Sequence, residues 1–226
     1  MQIFPRSLNR LPAIAAAGLA LTLGVVVAVF WYYFTPKNLQ VGYSPKQPVP
    51  YSHRLHVGQL GMDCRYCHAN VEVSAVAMVP PTQTCMNCHS IVKTDSAKLA
   101  PIRASWKTGS PVEWTKVHKL PEHVYFNHSA HVGAGVGCVA CHGRIDTMDV
   151  VHQEKPLSMG WCLDCHRNPE PNLRPKAEVT NMEWVDDPAH PYQKPKVCEA
   201  GGVAVASTNP AERTVCPPQN CSGCHR

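Results

Sequence analysis

Five times in this chain two cysteines stand two residues apart with a histidine directly after the second. The five sites are Cys64-Cys67-His68, Cys85-Cys88-His89, Cys138-Cys141-His142, Cys162-Cys165-His166 and Cys221-Cys224-His225. At this cysteine and histidine content, chance would supply about 0.04 copies of the pattern. The chemistry that needs the spacing is covalent attachment of a c-type haem. Two thiols bond to the two vinyl groups of one porphyrin, and the adjacent imidazole lies under the iron as proximal ligand. Zinc is the rival reading. Seventeen residues separate the first two thiol pairs and twenty separate the third from the fourth, and both gaps fit four-thiolate zinc sites. The histidine decides against it: a zinc ribbon does not require one there, yet it is present in five sites of five. The pair Cys221/Cys224 also has no further thiol pair to join. The expectation is five covalent haems and no zinc.

That cofactor load explains the rest of the composition. Of 226 residues 21 are proline, and no long apolar periodic segment follows residue 40. Such a polypeptide buries little surface by itself, and five flat apolar porphyrins would supply the missing core. The formal charge of +5 does not indicate nucleic acid, because ten haem propionates would offset it and no concentrated basic run exists. The expected fold is one N-terminal transmembrane helix followed by a loop-rich multihaem cytochrome c domain, with short helices and a core built by the haems.

Residues 11–36 carry no charge, and Trp31, Tyr32, Tyr33 and Phe34 close the apolar run. A helix of this length spans the hydrocarbon core, with the aromatic cluster at one interface and Arg6 and Arg10 at the cytoplasmic side. The run is longer than the apolar region of a cleaved signal, so residues 1–35 read as an uncleaved signal anchor. Haem attachment, completed outside the bacterial cytoplasmic membrane, puts the haem domain on the periplasmic side. Residues 36–50, rich in proline, read as an extended linker, and residues 51–226 as the pentahaem domain.

Within that domain one unit is used twice. His53-x-x-His56-Val-Gly precedes the first two motifs, and His128-x-x-His131-Val-Gly precedes the third and fourth. The second histidine leads its first cysteine by eight residues in one copy and seven in the other. The two-haem units are 51–90 and 126–167, with a single-haem tail at 168–226. Tyr51 and Phe126 stand in register and are expected to pack on a haem face. A low-spin haem needs a sixth ligand. Eight of the thirteen histidines are not proximal. His53, His56, His128 and His131 repeat in phase with the motifs and are the expected distal ligands. His118 is expected as the fifth, and His123 as a solvated neighbour. His152, Met148, Met159 and Met78 are weaker distal candidates. Cys198 and Cys216 lie outside any motif and are expected to form a disulfide in an oxidising compartment; two free thiols are the alternative.

Residues 48–90 and 117–167, with PVPYSHRLHVGQLGMDCRYCHANVEVSA, PPTQTCMNCHS, VHKLPEHVYFNHSAHVG and PLSMGWCLDCHR, resemble the membrane-anchored pentahaem cytochrome c subunits of bacterial alternative complex III. They are also similar to the multihaem subunits of related quinone reductase complexes. The resemblance implies an electron wire on the periplasmic face. It is fed by an integral membrane quinol-oxidising subunit beside a large iron–sulfur subunit, and empties into a monohaem cytochrome c or a terminal oxidase. The chain itself is then an electron-transfer subunit and not the catalyst. The HxxH–CxxCH unit also resembles the small class III cytochromes. That resemblance implies that His53 serves the iron of His68 and His128 that of His142, with His56 and His131 reaching other haems. A catalytic haem, as in nitrite reductases, would need an open coordination position, and distal candidates here outnumber the haems. A stand-alone quinol dehydrogenase, a shuttle cytochrome and a zinc-stabilised interaction protein are the remaining alternatives.

Overall fold

The computed structural model describes residues 5–35, 40–198, 207 and 212–225. The first positions of the expected linker, 36–39, and part of the tail, 199–206 and 208–211, lie outside the described residues.

Helix α1 is Leu11–Phe34, with proline in its first turn, where the missing N–H costs nothing. Its 24 residues reach about 36 Å, more than the roughly 30 Å of bilayer hydrocarbon. None of its side chains is buried, so its apolar surface has no partner within the chain and fits a single-pass membrane anchor.

Beyond it the chain is mostly loop, pinned by short helices. These are α2 Cys64–Cys67, α3 Thr82–His89, α4 Ala100–Thr108, α5 His128–Ala134, α6 Cys138–His142, α7 Met159–Arg167 and α8 Cys221–Cys224. A π-helical turn, Arg54–Gln59, and several 3-10 turns complete the helical content among the described residues. Strands β1 Lys196–Val197 and β2 Thr214–Val215 pair in parallel, Lys196 with Thr214 and Val197 with Val215. The disulfide Cys198–Cys216 follows directly, with Cα atoms 4.9 Å apart.

The polypeptide core is small. Among the described residues the buried apolar side chains are Val49, Val71, Ile102, Met148, Leu173, Val179 and Met182. Apart from Ile102 in α4 they are scattered along the segments that link the motifs, so side-chain packing alone does not account for how the motif helices are held.

Two features fix the large-scale arrangement. The turn Arg54–Gln59 of the first unit lies on the turn Ile145–Thr147 of the second, with Arg54 N–H donating to Met148 O at 3.0 Å. Gly58 permits this approach, because a Cβ there would run into the Asp146 carbonyl. Residues 42–49 run from a turn at Gly42 through irregular chain to a bend at residues 48–49, and they do not hang free. Gly42 donates to Gln153 O at 2.7 Å and Gln153 returns a bond to Tyr43 O at 3.0 Å. Gln47 exchanges two bonds with the Thr115 backbone, and Val49 is 4 % exposed.

Candidate haem-binding sites

The motif helices are short because each has one task. Positions i, i+3 and i+4 lie on one face of a helical turn. One turn therefore presents both thiols and the imidazole together, and α2, α3, α6, α7 and α8 each carry one motif. Three of the five are started by a side chain that accepts a backbone N–H: Asp63 for α2, Ser158 for α7 and Asn220 for α8. None of the ten motif cysteines takes part in a disulfide. An apolar cavity of about 470 Å³ between α3 and α4 opens beside Cys85 and is lined by Val79, Pro81, Ile102, Trp106 and Trp114.

The imidazoles share a pattern of support. Seven of them donate from Nδ1 to a backbone carbonyl: His56 to Ser52, His68 to Met78, His89 to Val92, His128 to Ala75, His131 to Asn127, His166 to Pro218 and His225 to His123, at 2.6–3.2 Å. A carbonyl only accepts. In the neutral ring this fixes the tautomer whose Nε2 lone pair is left for a metal. The ring pairs carry the second half of the argument. Two imidazoles sharing one iron through Nε2 atoms, each about 2 Å from the metal, have ring centres about 6 Å apart. His56 and His89 are 6.2 Å apart, and His131 and His166 are 6.1 Å apart. His123 and His225 stand 5.5 Å apart with planes 26° from parallel.

Tyr51 and Phe126 orient the HxxH rings. Tyr51 stacks on His56 at 4.4 Å and meets His53 edge-on at 4.8 Å. Phe126 repeats this on His131 at 4.5 Å and on His128 at 4.7 Å.

A crowd of histidines occupies the join of the two units. His118 meets His142 edge-on at 4.5 Å, closer than an iron between the rings would set. Loss of hydration and the neighbouring His118, His128, His68 and His53 hold His142 down to about 3. Burial, with His68 and His56 nearby, holds His53 down to about 4. Burial also lowers His118 and His131. All four are thus kept neutral at physiological pH, the form that binds metal. His53 Nδ1, His118 Nε2 and His142 Nδ1 are buried with no hydrogen-bond partner. The Cys64 and Cys138 thiols touch within the same join, and His128 and Ser129 bond to the Ala75 and Ser74 carbonyls of the first unit.

Other residues singled out from the sequence are engaged differently. His152 Nε2 faces the Glu154 carboxylate at 3.3 Å, and exposed His190 faces Asp187 at 3.3 Å. Met78 reaches the first site through its carbonyl, which accepts from His68, while its sulfur accepts from Asn70 at 3.6 Å. Met148 is buried and accepts from Arg54 through its carbonyl, and Met159 is 67 % exposed. His123, expected in solvent, is exposed, and its ring also stacks beside that of His225. Sequence reasoning passed over Arg174, which is 7 % exposed, with Nε unpartnered and its guanidinium 5.2 Å from the Trp184 ring centre. Its neighbour Gly137 admits it, because a Cβ there would collide with the guanidinium. The proline and loop setting of residues 168–176 gave no sign that this cation would be buried.

The donor set fits covalent haem. Ten thiols sit on five one-turn faces, seven imidazoles are aimed by Nδ1 bonds, and two ring pairs stand at the separation an iron sets. Among the described residues no three His, Cys, Asp or Glu side chains gather as the ligands of a compact metal-ion site do. Fold and site together define a multihaem c-type cytochrome. No protein-family model matches the chain. The multiheme cytochrome c subunit of menaquinone reductase from Nitratidesulfovibrio vulgaris is 38% identical over 169 residues, covering 65% of this chain and 79% of that protein. The chain belongs to the family of multihaem cytochrome c subunits of quinone reductase type.

Proposed function

We propose that this chain is the five-haem electron-transfer subunit of a quinol-oxidising membrane complex of the alternative complex III type (the ActA subunit). It would be anchored by α1 with its haem domain on the periplasmic side. Its partners would be an integral quinol-oxidising subunit, a large iron–sulfur subunit, and a monohaem cytochrome c or terminal oxidase as acceptor. The observation that carries the reading is the set of five Cys-x-x-Cys-His turns, together with His56, His128 and His131 held in the ligating tautomer. When bound, the haems supply one-electron centres whose potentials follow axial ligand, burial and nearby charge.

The chain's own residues do the rest. The thiols of Cys64, Cys67, Cys85, Cys88, Cys138, Cys141, Cys162, Cys165, Cys221 and Cys224 hold the porphyrins. His68, His89, His142, His166 and His225 bind iron on the proximal side. His56 serves the haem of His89 and His131 that of His166, as their ring separations support. His53 and His128 serve those of His68 and His142. Tyr51 and Phe126 keep the distal rings in place, and the buried Arg174 cation beside Cys138 favours the electron-rich state there.

Intact mass of the exported protein, with a pyridine haemochrome assay, tests the core of this. Five haems and a retained anchor are expected; colourless protein with zinc on its thiols would overturn it. His128→Ala should turn one haem high-spin without detaching it, and an unchanged low-spin spectrum refutes that assignment. Deleting the chain from the complex should abolish quinol–cytochrome c activity.

A second reading reverses the current. The relative is named as part of a menaquinone reductase, and a subunit in that role would receive electrons from a soluble cytochrome for delivery to quinone. Stopped-flow mixing of the oxidised complex with quinol, and of the quinone-loaded complex with reduced cytochrome c, separates the two. The first reading requires haem reduction by quinol to be fast.

A further inference from the structure

We propose that the five haem sites are wired out of sequence order, as second, first, third, fourth and fifth, so that the second and fifth are the terminals where electrons enter and leave. The proposal deepens the electron-transfer reading above and rests on it.

Each link is a contact around the attachment turns. Second to first: Asn87 of α3 donates to the Tyr66 hydroxyl of α2 at 3.1 Å, and the His56 ring, one turn from His53, stands 6.2 Å from that of His89. First to third: the Cys138 N–H donates to Val179 O at 2.9 Å, and the next residue, Thr180, donates its hydroxyl at 2.8 Å to Asp63, the cap of α2. His128 and Ser129 add backbone bonds to the Ala75 and Ser74 carbonyls, just beyond the first motif. Third to fourth: Asn172 accepts from the Gly137 N–H through its carbonyl at 3.2 Å and donates from its side chain to Cys165 Sγ at 3.4 Å. Fourth to fifth: His166 Nδ1 donates to Pro218 O at 2.6 Å, and the Gln219 side chain donates to His166 O at 3.5 Å, directly before α8.

The two units thus meet through their first sites and not head to tail. The second site, which precedes the third in sequence, is backed instead by α4, where the Thr82 and Ser105 hydroxyls lie 2.6 Å apart.

Exposure marks the same two ends. Of the ten motif cysteines Cys88 and Cys221 are exposed and the other eight are part-buried. They belong to the second and fifth motifs. At the centre of the series no residue of Cys138–His142 is exposed. A partner can approach a haem edge carried on an exposed turn and not one carried on a shielded turn. Along the series each step moves one electron, oxidising one iron as its neighbour is reduced, with quinol or a reduced cytochrome as the source at one terminal.

The test uses the full-length holoprotein with a ruthenium photosensitiser on Tyr125→Cys. Tyr125 is 55 % exposed and donates its N–H to Cys224 O at 2.8 Å, so the label stands beside the fifth site. Flashes with a sacrificial donor inject electrons there, and the absorbance change counts the haems reduced in the fast phase. Removing the second haem with Cys85→Ala/Cys88→Ala should keep all four others in the fast phase. Removing the first with Cys64→Ala/Cys67→Ala should strand one of four, and removing the third with Cys138→Ala/Cys141→Ala should strand two. Wiring in sequence order exchanges the first two results, and that exchange overturns the proposal. The wild-type protein supplies a check that removes no site. A soluble gadolinium chelate should broaden the haem-methyl proton signals of the second and fifth haems most, and greatest broadening at the first or third overturns the proposal as well. A colourless wild-type protein would overturn the haem reading itself; five haems with the exchanged pattern remove only the order.

Discussion

In the first unit His53 and His56 ride a π-helical turn, Arg54–Gln59; in the second His128 and His131 open a regular helix, α5. The backbones differ, but the ring distances agree. The aromatic stacks are 4.4 and 4.5 Å, and the spans to the distant proximal ring are 6.2 and 6.1 Å. In both units the second histidine of the pair donates to the carbonyl four residues earlier. The geometry held in common is that of the ligands, and the helix type adjusts to it. The reason for the adjustment is visible in the neighbours. The first turn must pass over the Asp146 carbonyl, which its wider π geometry and Gly58 allow, whereas nothing lies within 4 Å of a Cβ at Gly133 in α5. π turns of this kind occur mostly at functional sites.

The equivalence can be attacked at several strengths. The severest test removes attachment. Cys64→Ala/Cys67→Ala and Cys138→Ala/Cys141→Ala should each cost one haem in a pyridine haemochrome count. Each should also lower the melting temperature more than loss of the tail site, because these two motifs lie at the join, where His128 and Ser129 bond to the first unit's Ala75 and Ser74 carbonyls. Next, His56→Ala and His131→Ala should each convert one haem to high-spin by EPR, in equal amount. A spectrum altered in one variant and untouched in the other would break the correspondence between the units. Third, Gly58→Ala should destabilise the protein by about 1–3 kcal/mol through the clash with the Asp146 carbonyl. Gly133→Ala should be neutral or stabilising by up to about 1 kcal/mol, since it only improves helix propensity. Equal effects in thermal melts would remove the packing explanation for the π turn.

The smallest effect concerns acid. The Arg65 guanidinium, with its backbone N–H and the Thr180 hydroxyl, holds Asp63 down to about 2. A carboxyl depressed in the folded state adds stability above its unfolded value near 3.9, and that stability fades as pH falls through about 2. Melts of wild type and Asp63→Asn should therefore differ at pH 6 and converge near pH 2. Because Asp63 is part-exposed, the gap should be modest.

Much of this site was legible because covalent attachment leaves a rigid mark. Two thiols and an imidazole must fall on one helical turn, and only one spacing does that. The HxxH pairs stood out by their phase with the motifs, and the structure brings His56 to His89 and His131 to His166. The anchor could be read from its missing charges. The supporting atoms could not be read, since the acceptors at Met78, Ala75 and Pro218 are carbonyls, and a carbonyl carries no residue identity. Met78 drew notice for its sulfur, but its carbonyl is what touches His68. His123 shows a further limit. Its partner is brought in by a lone backbone bridge from the far end of the chain, and no periodicity announces such a contact. Arg174 was missed because the features that bury it, Gly137 and the Trp184 ring, are distant in sequence.

The docking of residues 42–49 has a mechanical consequence. Counted from the sequence, some thirty residues separate the bilayer from the first attachment turn, enough for a long, loose strap. Once Gly42 and Tyr43 are fastened to Gln153, the tether is counted only between Thr35 and Gln40. The five steps from Thr35 to Gln40 can stretch no further than about 18 Å. On the proposed reading, with α1 in the bilayer, so short a mooring would let the domain roll but not roam, and a redox partner would meet it at the lipid surface.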